Sequence, residues 1–139
     1  MSYGSCTHPV IDLADYILTI RQPLFSKARP RLTRTGHAYM PQPYKLAQAE
    51  MRRQMLDQWA HGPLEGPVSL ELFVKGEGRG DNDNIAGAFM DAAHGILWID
   101  DRVTVIPVLK ISWEKAVKAD SIWIAHIRDL GIVPDRMGD

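Results

Sequence analysis

The sequence is short of several things, and each shortage excludes a class of protein. One cysteine in 139 residues rules out an internal disulfide, and with it a small secreted scaffold stapled by disulfides. It equally rules out a zinc site of four cysteines, or of two cysteines and two histidines. That thiol, Cys6, sits in an irregular lead-in over residues 1–13. It is expected to be inert, because a nucleophilic thiol needs a built environment. No apolar run approaches the roughly 20 residues of a membrane span. The first residues lack the basic-then-apolar pattern of a secretory signal, so a cytoplasmic protein with no membrane partner is expected. Charge of one sign is not in excess either: 16 Lys and Arg stand against 17 Asp and Glu, a net charge of −1. A generic polyanion binder usually carries a basic surplus. Internal repeats and low-complexity tracts are absent.

What remains reads as one domain over residues 1–139, with a frayed tail at 129–139. Residues 16–20 are β-branched and aromatic and read as a strand. Residues 22–43 carry four prolines and little periodicity; a run of that length is usually a functional loop or a disordered one. Tyr44, Ala47, Met51, Met55 and Trp59 recur at helical spacing and predict a helix over 44–60. Strict alternation over 68–75 puts Val68, Leu70, Leu72 and Val74 on one face of a strand. A glycine-rich turn follows. A second helix is then expected, capped by Asp83 or Asn84, running to about His94 and burying Ile85, Phe89, Ala92 and Ile96. Val103, Val105, Leu109, Ile111 and Trp113 suggest one side of a long strand that Pro107 interrupts at an edge or bulge. Residues 121–127 read as a last strand. The fold class is therefore α+β: a mixed four-stranded sheet with two helices on one face, a two-layer sandwich.

Two clusters of charge carry chemistry. Residues 81–101 hold five carboxylates, Asp81, Asp83, Asp91, Asp100 and Asp101, and no Lys or Arg. Hard divalent cations take oxygen ligands, commonly a few carboxylates with waters and substrate phosphate. Two carboxylates at i and i+2 in a turn can converge on one ion, and a third from a neighbouring strand start can complete the site. A plainer reading stays open: Asp83 as a helix cap, Asp81 as a turn residue, Asp100 and Asp101 as a solvated turn. A calcium loop of the EF-hand type fails, because Ile85, Ala86 and Ala92 stand where an oxygen ligand, a glycine and a glutamate are required.

Residues 21–53 are the opposite. They hold Arg21, Lys27, Arg29, Arg31, Arg34, Lys45, Arg52 and Arg53 against one acid, Glu50, with Phe25, His37, Tyr39 and Tyr44 interleaved. Cations neutralise phosphates and aromatic rings stack on exposed bases. A solvated loop followed by the polar face of a helix is the alternative. Together, a basic grip and an acidic metal site follow the logic of a metal-dependent nuclease. The near-zero net charge is a sum of opposites.

The pattern Asp81-x-Asp83-Asn84, then Asp91, then Gly95 and Trp98-x-Asp100-Asp101 before a strand, resembles the RusA family of Holliday junction resolvases. Lys27-Ala28-Arg29-Pro30-Arg31 and Tyr39-Met40-Pro41 are similar to the early basic loop of its phage-type members. The resemblance spans about residues 16–127. It implies a homodimeric, Mg²⁺-dependent endodeoxyribonuclease, with Mn²⁺ as a substitute ion, that acts on four-way DNA junctions in recombination and repair. Asp81, Asp83 and Asp101 would be catalytic and metal-binding, with Asp100 and Asp91 as further metal candidates. Lys27, Arg29, Arg31, Arg34, Arg52 and Arg53 would contact DNA. Trp59, Phe89 and Trp98 are candidates to lie near a dimer interface. One departure stands out: the position of the family's catalytic lysine holds Gly87. Lys27, Lys75 or Lys110 would have to bring a cation from elsewhere. Failing that, the chain would be a junction-binding protein that keeps the fold without the cleavage, or a soluble α+β protein whose charges only solvate it.

Overall fold

The structure, a computed structural model, describes residues 15–131. The expectations for the lead-in over residues 1–13, Cys6 included, and for the tail beyond residue 131 lie outside the described residues. The chain runs β1 (Asp15–Ile20), a two-residue pair β2 (Arg31–Leu32) and β3 (Ala38–Tyr39), α1 (Gln42–Gln58), β4 (Val68–Gly76), α2 (Asn82–Ala92), β5 (Val108–Lys115), a short 3₁₀ turn, and β6 (Ile122–Asp129). Four strands form one sheet in the order β1-β6-β4-β5. β6 pairs antiparallel with both β1 and β4, and β5 lies parallel to β4. The expected α+β class, with four strands and two helices, is what is found.

Alternation builds the core. On β4, Val68, Leu70, Leu72 and Val74 are fully buried, and Trp123, Ala125 and Ile127 of β6 lie on the same face beside them. Met51 and Met55 of α1, and Ile85, Phe89 and Ala92 of α2, close over that face. Fully burying side chains of this size contributes about 1.5–3 kcal/mol each. Trp98 and Phe89 are buried completely and Trp59 nearly so, all within one copy of the chain. They are core residues and not candidates for a dimer interface.

A parallel pair needs a crossover between its strands, usually a helix. Here α2 is that crossover, carrying the chain from the end of β4 back toward the start of β5. Its two ends therefore sit at opposite ends of the sheet. The long run at 22–43 is tied down at its start. Gln54 accepts from Arg21 N–H, and Gln58 both accepts from Thr19 N–H and donates to its C=O. The glutamines of α1 thus occupy the outer edge of β1 as a neighbouring strand would, which blunts that edge. Pro43 in the first turn of α1 suits a position whose N–H has no helical partner.

Three expectations are corrected. Residues 103–106 are a turn, with Val105 and Ile106 donating to Arg102 C=O, and β5 begins only after Pro107. Val105 is buried in that turn while Val103, Leu109 and Trp113 are exposed, so the five apolar residues do not share one buried side. On the edge strand β5, Leu109, Ile111 and Trp113 share the face of Leu70, Leu72 and Val74, but of the three only Ile111 packs against the core. At the chain's end, β6 continues to Asp129 and Leu130 N–H donates to Pro67 C=O, so regular pairing outlasts residue 127. Finally, α2 is capped by the backbone of Asp81, two residues before Asp83.

Candidate active site

The turn from β4 into α2 is built on glycine. Gly80 has φ +88°, a conformation L side chains rarely adopt. An added Cβ there would also collide with Ser26 Oγ. Gly80 therefore lets the chain turn sharply while the 22–30 segment packs against it. Asp81 follows as the N-cap, its C=O accepting from Ile85 N–H at 3.0 Å, and its carboxylate makes no capping bond. Asp83 lies in the first turn of α2. Both carboxylates are exposed, and among the described residues neither is in an ion pair. Asp81 is a turn residue, as the plainer reading had it, but neither carboxylate makes a capping bond. They are two hard oxygen donors at the positive end of a helix, beside backbone N–H groups suited to an anion. A groove of about 280 Å³ opens next to them, lined by Val74, Gly78, Asn82, Ile85, Ile111 and Trp113.

The other acids are placed differently. Asp91 is on the same helix but eight residues beyond Asp83, about 12 Å along the axis at 1.5 Å per residue. Its Oδ2 accepts from Tyr44 O–H at 2.8 Å and from Gln48 Nε2 at 2.9 Å. It clamps α1 to α2. Burial and then the bond to Asp91 push the Tyr44 hydroxyl well above its ordinary value. Asp100 is held by Arg102, through the backbone N–H and Nε at 2.8 Å each and the guanidinium Nη2 at 2.7 Å. That guanidinium keeps the Asp100 carboxyl below its usual range, with His94 adding a little. Asp101 is exposed, and unpaired among the described residues.

Asp81 and Asp83 are not brought to Asp101. Ile99 N–H donates to Leu64 C=O, and Val68 N–H to Val105 C=O, which fixes residues 99–105 near the start of β4. Asp81 follows the end of β4, and the whole of α2, about 16 Å of helix, intervenes. Among the described residues, no three His, Cys, Asp or Glu side chains group to hold a metal ion.

The basic residues also divide. Lys27, Arg29, Arg31 and Arg34 are exposed, the last two in or beside the β2–β3 hairpin. Arg53 is held by Glu50 and Asp57, each at 2.8 Å. Arg52 donates to Ala92 C=O at 2.8 Å and His94 C=O at 3.1 Å, closing the last turn of α2. Sequence reasoning passed over Tyr44 and Gln48 as a clamp and Ser26 as a packing partner. No local signal marks them, because their partners lie more than 40 residues away.

A search of curated proteins returned no match. A family model, Endodeoxyribonuclease RusA, matches residues 22–121, from the start of the basic segment through the acidic turn and the crossover to the last turn before β6. With well over half of the chain matched, and with Asp81 and Asp83 free at the head of the crossover helix, the chain belongs to the RusA endodeoxyribonuclease family.

Proposed function

We propose that the protein is a Mg²⁺-dependent, structure-selective endonuclease that cuts four-way DNA junctions as a homodimer. The observation that carries this is the pair of unengaged carboxylates, Asp81 and Asp83, at the N-terminus of α2 in a chain of this family. Mg²⁺ typically takes one or two carboxylates and fills its remaining positions with water and substrate phosphate. Asp81 and Asp83 fit that donor set. Bound there, the ion would lower the pKa of the attacking water and neutralise charge on the phosphate.

The chain's own residues would do the rest. The first-turn N–H groups of α2 and its dipole favour the scissile phosphate at that spot. Arg29, Arg31 and Arg34 neutralise neighbouring phosphates, so binding weakens steeply with salt. Asp101 lies a helix length away from Asp81 and Asp83 of its own copy. In a two-fold dimer each end of α2 can face the opposite end of its mate, so Asp101 of one copy would complete the site begun by Asp81 and Asp83 of the other. A two-fold dimer also matches the approximate two-fold symmetry of a four-way junction.

Mixing two inactive variants tests this. Asp83→Asn and Asp101→Asn, each alone, should abolish cleavage of a four-way junction in Mg²⁺ or Mn²⁺ while leaving gel-shift binding largely intact. Mixed and allowed to exchange, they should regain about a quarter of the wild-type sites, because half the dimers are mixed and each mixed dimer holds one intact site. No recovery would refute the cross-copy site. Binding by the wild type without cleavage in either metal would instead identify a non-catalytic junction-binding protein.

A further inference from the structure

We infer that Lys27, delivered from the 22–30 segment onto α2, is the cationic catalytic group of this nuclease; the inference rests on the reading of Asp81 and Asp83 as its metal site. The acidic region from 81 to 101 contains no cation of its own. In phosphodiester hydrolysis a cation beside the metal helps carry the negative charge that develops. The water gives up a proton to solvent as its oxygen bonds to phosphorus, the bond from phosphorus to the departing sugar oxygen breaks, and that oxygen takes the electron pair and then a proton from solvent. A fixed positive group aimed at the oxygens gaining charge stabilises the transition state.

The 22–30 segment is fastened to the head of α2 at three successive points. Ser26 packs on Gly80. The backbone N–H of Lys27 donates to Asn84 C=O at 2.8 Å. The stem of Lys27 then lies across Gly87, where a Cβ would find Lys27 Cδ at 3.4 Å and Cβ at 3.7 Å. Gly87 is four residues after Asp83, on the same face of the helix. A lysine stem over Gly87 therefore runs along the face that carries Asp83, with its amine two bonds beyond Cδ. A longer side chain at 87 would need the volume the stem occupies. A Cβ alone at 87 would meet the stem at ordinary contact distance; what the stem excludes is a longer side chain.

The other two candidate lysines, Lys75 and Lys110, lie elsewhere. Lys75 is 3.8 Å from Glu114, and Lys110 stands in register with Glu71. Both point to the face of the sheet opposite the buried Leu72 and Val74, and so away from α2. Arg102 is held by Asp100. Among the described residues, Lys27 is in no ion pair, and its side chain is exposed and open to a phosphate.

The test is single-turnover cleavage of a four-way junction by full-length Lys27→Met, with binding measured in Ca²⁺ and a thermal melt as the check on folding. Loss of a transition-state donor should lower the cleavage rate roughly 10²–10³-fold, with binding within about threefold of wild type. In Lys27→Ala/Gly87→Lys, where no stem fills the space over residue 87, the helix itself carries an amine to the same face, and a gain of tenfold or more over Lys27→Ala would support the assignment. Cleavage by Lys27→Met at the wild-type rate would overturn the role of Lys27 and leave the nuclease reading standing. A loss of binding that accounts for the whole loss of rate would make Lys27 a backbone grip and overturn it as well. Failure of the wild type to cleave, beside intact binding, would sink both readings together.

Discussion

Asp91 sits within the acidic pattern, yet its surroundings assign it to stability, and the two roles predict opposite outcomes for one substitution. In Asp91→Ala, the Tyr44 hydroxyl and the Gln48 amide both lose their acceptor. Hydrogen bonds to a charged group are worth about 1.5–3 kcal/mol, and a buried donor left unsatisfied costs about 1–3 kcal/mol. Tyr44 is only 6% exposed, so water cannot readily take the place of the carboxylate. Gln48 is nearer the surface and recovers most of its loss in solvent. The expected destabilisation is about 2–4 kcal/mol. For a chain of this size that is a fall in Tm of roughly 8–16 °C, at about 4 °C per kcal/mol. Tyr44→Phe removes the same bond from the other side, leaving the carboxylate with Gln48. A double-mutant cycle between the two should give a coupling of about 1–3 kcal/mol. The assay is urea unfolding followed by tryptophan fluorescence, with junction cleavage measured well below the new Tm. Cleavage there should stay within a few-fold of wild type. An Asp91→Ala protein as stable as wild type that no longer cuts would refute the clamp and restore Asp91 as a metal ligand.

Two further outcomes follow from the geometry. Tyr44 has its hydroxyl pKa raised by burial, so the fold favours the protonated phenol. Its contribution is complete below the unfolded value of about 10 and is lost as pH rises above it; wild type should therefore lose more stability than Tyr44→Phe between pH 10 and 11.5 in parallel urea titrations, and equal losses would contradict this. Gly80→Ala imposes a positive φ on an L residue and drives a methyl into Ser26. It should cost about 1–3 kcal/mol and lower cleavage more than binding, whereas an unchanged cleavage rate would show that the packing of Ser26 does not matter to the site.

The sequence showed some of this plainly and hid the rest for physical reasons. Alternation at Val68, Leu70, Leu72 and Val74 and helical spacing at Met51 and Met55 are local signals, and burial followed them. The pairing of Asp81 with Asp83 is local too. The distance from these to Asp101 depends on how far the crossover helix carries the chain, which a motif read as one string conceals. Asp91 looked like its acidic neighbours because charge pattern does not reveal that Tyr44 and Gln48 will reach it across 47 and 43 residues. The apolar residues at 103–113 alternate as a strand does, but Pro107 divides them into a buried turn and an edge strand. Among three candidate lysines nothing local chose one, because the hydrogen bond that sets Lys27 against α2 joins it to Asn84, 57 residues away.

The order β1-β6-β4-β5 also constrains how the molecule comes into being. Of the sheet's four strands, the last to leave the ribosome is the one that sits between β1 and β4. Until it arrives, β1 has no strand to pair with and β4 has one open edge, while β4, α2 and β5 can already form their crossover unit. The register Asp15↔Arg128 joins residues 113 apart, and long-range pairing of this kind is slow. A nascent or truncated chain ending before Ile122 would thus carry the acidic turn on a half-built sheet with an exposed apolar edge. Such an edge invites aggregation. The four-stranded sheet is complete only once β6 has emerged, so a chain stopped before that strand is sticky.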